Sequence, residues 1–467
     1  MRKLKVWILC LVMLFASTSC ARLEGPDVSP KETPTPAVET ETPSATPTGR
    51  RDGSAVSTRT PLATASPGES SMPQAATVKG EIVSGSTAGA ASAVSASGSL
   101  ANSAGALETA GTAQGVQPVR MKGVWVATVL NLDFPTAVGD AEAQQQELIG
   151  ILDSIAGWGM DTVIFQIRPM GDALYRSEIN PWSHFLTGEQ GKDPGWDPLA
   201  FAIEEAHKRG LSLHGWLNPY RVVHASLNFG TGDLSSDSFA AAHPEWLIEA
   251  GGGLYYDPAV PEVRQHIADT VSEIIHGYDI DGIHFDDYFY PAEYTLPEGA
   301  DRDGVLGRER RENVNALIRL VYETIKSYNE DIIFGVSPFG IWKNSASDPQ
   351  GSETLGSESY YVQAADTLTW VREKIVDYVA PQLYWPIGHE AADYRELTAW
   401  WSEKLAGSGV SLIIGQGIYK DEVAAEITGE LEINATHPEI TGSIYFSYKD
   451  LKENPACAQA VTAWNGR

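Results

Sequence analysis

Apolar runs of strand length alternate with helix-patterned segments eight times between residues 123 and 464. The pattern predicts strands over 123–130, 162–169, 212–220, 281–291, 332–340, 378–386, 412–419 and 442–448. Between them apolar residues recur at intervals of three and four. Examples are Leu148, Ile151, Leu152 and Ile155, and Val314, Leu317, Ile318, Val321 and Ile325. One predicted helix is fully punctuated, with Asp197 as N-cap, Pro198 in its first position and Gly210 past its end. Strand alternating with helix implies a parallel sheet. Eight repeats without a Gly-x-Gly-x-x-Gly turn favour a closed (β/α)8 barrel over an open doubly wound sheet. A long polar loop is expected after strand three.

The strands share a polarity. Each begins apolar, and most end in polar, aromatic or proline residues, such as Gln166-Ile167-Arg168-Pro169 and Leu217-Asn218-Pro219-Tyr220-Arg221. Barrel sites lie at the C-terminal strand ends, so this is the asymmetry an active barrel shows. The fourth strand carries it furthest, running Asp281-Gly282-Ile283-His284-Phe285-Asp286-Asp287-Tyr288-Phe289-Tyr290-Pro291. Two adjacent acids among aromatic rings are costly to bury, which points to chemistry more than to stability. Side chains alternate faces along a strand. If His284 points inward, so do Asp286 and Tyr288, and Asp287 faces out unless the strand has ended or bulged there.

Aromatic residues crowd the same strand ends: Trp125, Trp182, Trp216, Tyr220, Tyr288, Tyr290, Trp342, Tyr384 and Trp385. Sugar rings stack their C–H faces on such planes, and Arg168, Asn218, Arg221, His284, Asn344 and Gln382 offer hydrogen bonds to hydroxyls. The plain alternative for any one ring is core packing. The expected substrate-binding set is Arg168, Asn218, Tyr220, His284, Tyr288, Trp342, Gln382, Tyr384 and Trp385. Glycoside cleavage ordinarily uses two carboxylates, about 5–5.5 Å apart for retention and about 6.5–9.5 Å for inversion. Asp286 is the expected nucleophile or transition-state stabiliser, with Asp287 or Asp172 as proton donor. Asp133 and Glu189 are further acids near strand ends, and strands five to seven offer none before Asp421. For each acid the competing role is structural, capping a segment or pairing with an arginine such as Arg168.

A net charge of −28 argues against nucleic acid and anionic lipid surfaces as partners. Three cysteines, Cys10, Cys20 and Cys457, do not make a disulfide framework. No Cys-x-x-Cys or His-Glu-x-x-His spacing supports zinc, and no cofactor is expected. A metal-dependent alternative would rest on His214, His284 and Asp286. Oligomeric state is not legible.

The N-terminus has the anatomy of an export signal. Arg2, Lys3 and Lys5 precede an apolar run from Val6 to Phe15, and Ala16-Ser17-Thr18-Ser19 lead to Cys20. It resembles a bacterial lipoprotein signal, which would make Cys20 the lipidated first mature residue, although Ser17 stands where Leu is usual. Residues 21–118 are rich in Ser, Thr, Ala, Pro and Gly and lack the apolar surface to offset chain entropy. The expected organisation is a signal over 1–20, a disordered linker over 21–118 and a barrel over 119–467.

Several longer runs carry a resemblance. They are Gly123 to Thr128, Val163 to Tyr175, Pro181-Trp182-Ser183, Glu205 to Gly210, Asn218-Pro219-Tyr220-Arg221, the fourth-strand stretch, Gly335 to Trp342 and Pro381 to Trp385. In these the chain resembles the glycosyl-hydrolase-like family ten of bacterial surface proteins. The resemblance implies a barrel with glycosidase activity, one branch acting on peptidoglycan strands stripped of their stem peptides. A weaker likeness is to chitinase-type barrels, whose fourth strand reads Asp-Gly-x-Asp-x-Asp-x-Glu. Asp281, Gly282 and Asp286 fit it, but His284 replaces an Asp and Tyr288 stands at the position of the acid Glu. The expected function is an exported, membrane-anchored hydrolase of a bacterial wall or related N-acetylhexosamine glycan. The alternative is a non-catalytic glycan-binding protein on the same fold.

Overall fold

The computed structural model describes residues 118–286 and 288–467. The proposed signal, Cys20, the linker and Asp287 lie outside the described residues.

Eight parallel strands close into a ring. They are β1 (Met121–Val126), β2 (Thr162–Arg168), β3 (Ser212–Leu217), β4 (Gly282–Phe285), β5 (Ile333–Val336), β6 (Tyr378–Val379 continued by Gln382–Leu383), β7 (Ser411–Gln416) and β8 (Ile440–Tyr445). Each pairs with its neighbours in chain order, and β8 pairs with β1 to complete the circle. The barrel expected from the alternation is therefore the barrel observed. β6 comes in two pieces because Pro381 has no N–H for the ladder. Ala380 and Gln382 still donate to β5 and its tip, at 2.8 and 3.0 Å.

Helices cover the outside. Pro198–Lys208 begins where Asp197 accepts from the Ala200 N–H, with Pro198 at its first turn. Val305–Tyr328 buries Val314, Leu317, Ile318, Val321 and Ile325 against the sheet, the stripe its spacing demands. Among the described residues no helix is long and apolar enough to cross a membrane.

The barrel interior has its own core of Met121, Trp125, Ile164, Trp216, Tyr378, Ile413 and Ile444. Large rings fit there because two strands carry glycine opposite them. A Cβ on Gly282 would lie 2.7 Å from Nδ1 of His214, and one on Gly335 would collide with the Tyr378 ring. Sequence and packing meet at these two positions: the glycines of β4 and β5 make space for aromatics from β3 and β6.

The loop after β3 is not the plain polar loop expected. It folds into a three-stranded antiparallel sheet, Arg221–Val223, Gly253–Tyr256 and Leu247–Ala250. Gly251 and Gly252 turn its hairpin with φ of 56° and 83°, the left-handed pair a two-residue turn requires. This sheet lies over the tip of β2.

Candidate active site

Alternation along β4 holds to its end. His284 and Asp286 face the barrel interior, while Phe285 and Phe289 join the outer core. His284 is sealed beneath Asp286 and meets no solvent. The Trp125 indole N–H points at its Nε2 from 3.3 Å, and an indole nitrogen only donates. His284 therefore carries its proton on Nδ1 and donates to the Tyr378 hydroxyl at 2.7 Å. Ser337 lies 3.0 Å from the same Nε2. Burial holds the imidazole well below its ordinary pKa, and His214 beside it acts in the same direction. The ring is a neutral, fixed support for the layer above, and its nitrogens are both engaged. That arrangement gives the metal alternative no donor from His284. Among the described residues no group of three His, Cys, Asp or Glu side chains is placed to hold a metal ion.

Asp286 forms the next layer, 4% exposed at the strand tip. Its Oδ2 accepts from the Trp216 indole N–H at 3.1 Å and from the Asn218 side-chain amide. Its Oδ1 accepts from the Tyr288 main-chain N–H at 3.3 Å. Asn218 is itself held by Gln166 at 2.8 Å and by the Arg221 guanidinium. Arg221 is anchored to the Pro169 carbonyl at 2.9 Å and lies 5.1 Å from the centre of the Tyr288 ring. Burial raises the Asp286 carboxyl to about 6, opposed by the Arg221 charge and the Trp216 bond. The result is a carboxylate poised near neutrality, suited to attack or to stabilising positive charge.

The other expected groups divide by position. Arg168 is fully buried and points away from the interior. The pairing of β2 with β3 slips after Gln166, so Arg168 aligns with the outward Leu217. It donates to the carbonyls of Asn218 and Pro219 at 2.9 and 3.2 Å, under the small sheet. Asp172 is enclosed in the same region. One oxygen accepts from the His184 N–H at 3.3 Å, and burial raises the group to about 6 against bonds from Ser183 and His184 and the Arg168 charge. No hydrogen bond joins it to Asp286. Tyr220 packs in the outer core against Phe289, and Trp342 packs there against Tyr360 and Trp400. Arg168, Asp172, Tyr220, His284 and Trp342 are thus all buried among protein groups. Asp133 is a clasp between strand ends, accepting from Ala127, Ser447 and Lys449 at 2.7 to 2.9 Å. Asn344 is likewise spent on its own loop, bonding Thr354 and Gly356.

Gln382, Tyr384, Trp385 and Tyr288 remain near the strand ends. Gln382 donates to the Ser337 carbonyl at 3.0 Å and is half-buried, as are Trp385 and Tyr288. Tyr384 packs with Tyr419 and Phe446 at ring separations of 5.7 to 6.1 Å, and Phe446 continues to Trp125 at 6.1 Å. Tyr419 and Phe446 were not among the expected residues. They follow β7 and β8, and the rule that strand tips carry the site would have found them.

Residues 120–430 match the family model described as Glycosyl hydrolase-like 10, a span that takes in β1 to β7 and Asp286. The chain belongs to the glycosyl hydrolase-like 10 family. It is 44% identical over 361 residues to the glycosyl hydrolase YngK of Bacillus subtilis (strain 168), covering 72% of this chain and 69% of YngK. It is 38% identical over 405 residues to the glycosyl hydrolase DigH of Escherichia coli (strain K12), covering 78% of this chain and 90% of DigH. Family membership supports a glycoside hydrolase-like role with a carbohydrate as the substrate class.

Proposed function

We propose that the protein is an exported glycoside hydrolase that cleaves a bacterial cell-wall or related N-acetylhexosamine glycan at the C-terminal mouth of its barrel. The observation that carries this reading is Asp286, a carboxylate at the tip of β4 held by two N–H donors on one oxygen. Water is added across the glycosidic bond. Asp286 attacks the anomeric carbon or stabilises the positive charge that develops there, while an acid protonates the departing oxygen. Asp172 is fully buried with one oxygen on the His184 N–H, and Asp287 is the donor we favour. Tyr384, Trp385 and Tyr288 offer planes for sugar rings, with Gln382 beside them. The wall substrate is supported by the resemblance in the sequence and by the export-type N-terminus. We assign Cys20 as the lipid anchor, with residues 21–118 as a tether to the membrane.

A second reading has one observation in its favour. Asp133 is spent on structure and Asp172 is fully buried, and among the described residues the groups acting on Asp286 include no other carboxylate. A barrel kept for glycan recognition would look the same. Incubating the full-length protein with peptide-free wall glycan separates the two. New reducing ends support the hydrolase, and binding without product supports the recognition protein.

A further inference from the structure

We propose that Gln166 is a positioning residue: it fixes the direction of the Asn218 amide, which commits Oδ2 of Asp286 to the protein and leaves Oδ1 to the reaction. This rests on the reading of Asp286 as the reacting carboxylate.

Groups that can only donate fix the sense of the Gln166 amide. The main-chain N–H groups of Thr128 and Val129 point at one end of the Gln166 side chain from 2.9 and 2.8 Å. That end must be the oxygen, Oε1, whichever way the amide is drawn. The other end is then the NH2 group, and it lies 2.8 Å from Asn218. It must meet the oxygen of Asn218. The Arg221 guanidinium, also donor only, meets the same oxygen. The NH2 group of Asn218 is thereby turned onto Oδ2 of Asp286. Reversing Asn218 would set its oxygen against a carboxylate and its NH2 against two donors.

Oδ2 also takes the Trp216 indole N–H, so it holds two donors of fixed sense. Neither can accept a proton from it. When Asp286 is protonated, the proton therefore sits on Oδ1. When it is ionised, Oδ1 has the lone pairs to spare, since its described partner is the Tyr288 N–H at 3.3 Å. One oxygen is a hinge fixed in the wall and the other is the working edge. The chain of fixed polarity starts at the main chain just past β1 and runs through β2 and β3 to β4. Gln166 is its first side chain. It is fully buried and makes no hydrogen bond to Asp286 among the described residues, so its polar link to the reaction runs through Asn218.

Gln166→Glu tests this. Glutamate keeps the length and still accepts from Thr128 and Val129, but its carboxylate cannot donate to Asn218. Gln166→Met keeps the bulk and imposes no polarity. Gln166→Glu is expected to move the acid limb of the kcat/KM profile upward by about one pH unit. It should lower kcat at pH 6 on the order of tenfold and leave KM within about threefold, with activity recovering as pH rises. Gln166→Met should shift the limb less. Asn218→Asp removes the next donor in the chain, the one to Oδ2 of Asp286, and should shift the limb in the same direction. If the Gln166→Glu protein does not fold, Gln166→Met decides the matter by whether its limb moves upward. Equal losses in Gln166→Glu and Gln166→Met with an unmoved limb would reduce Gln166 to packing and overturn the proposal. Asp286→Asn, run alongside, separates the two failures. If it is inactive while Gln166→Glu and Asn218→Asp keep the wild-type limb, this inference alone is wrong. If it is fully active, the reading of Asp286 fails and the inference falls with it.

Discussion

Asp286 at the barrel mouth and Glu430 in the helix layer are both buried, and burial pushes both carboxyls up, to about 6 and about 9. Their surroundings differ. Asp286 meets the N–H groups of Trp216, Asn218 and Tyr288, with the Arg221 charge nearby. Glu430 sits on the helix Asp421–Asn434, and among the described residues neither of its oxygens has a hydrogen-bond partner. The charge of Glu426 raises it further. Partners of fixed polarity keep a buried carboxylate available as an anion, and their absence leaves a neutral acid. Burial alone therefore does not mark a reactive group here, and neither do donors alone, since Asp133 holds three and is a clasp.

The hardest test of that contrast is Asp286→Asn, which should lower turnover by on the order of 10³-fold or more while leaving the melting temperature unchanged or raised. Loss of folding instead would make Asp286 a structural group. Glu430→Gln should do the reverse, with turnover unchanged and stability altered in its pH dependence. The folded-state pKa of Glu430 is raised above the ordinary 4.5 to about 9, so its contribution is fully present below 4.5 and is lost as pH rises through 9. Between those values the wild type should lose about 1.4 kcal/mol per pH unit from this group. Denaturant titrations at pH 5 and pH 8 check this: the variant should resemble the wild type at pH 5 and be the more stable at pH 8. Trp216→Phe removes one donor to Asp286. It should cost about tenfold in kcat and raise the acid limb of the pH profile, because a hydrogen bond to a charged group contributes about 1.5–3 kcal/mol. The smallest effect expected is in Asp133→Asn, which sets an NH2 group against donors that Asp133 now accepts from. That should cost about 1–3 kcal/mol of stability and leave the profile near Asp286 in place.

The contrast also explains what could be read in advance. The eight strands and the barrel were legible because each strand is an apolar run and each helix carries its stripe at the right period. The inward placement of His284 and Asp286 follows from alternation alone. Arg168 was not legible, since the register slip after Gln166 turns it outward and nothing in Gln166-Ile167-Arg168 announces a bulge. Tyr220 and Trp342 looked like mouth residues because aromatic side chains at strand ends serve sugar and core equally well; the packing of the outer helices decided for the core. The small sheet after β3 has a signal in Gly251-Gly252, a pair suited to a tight hairpin turn. Gln166 was legible in principle. It shares the parity of Thr162 and Ile164 in an otherwise apolar strand, and a buried amide in that phase has to have partners.

The most direct test is mass analysis of the products when the full-length protein meets peptide-free wall glycan, with Asp286→Asn in parallel. The wild type should yield shorter glycans with new reducing ends, and the variant should leave the polymer unchanged. An unchanged polymer from both, or the same fragments from both, would contradict glycan cleavage by Asp286.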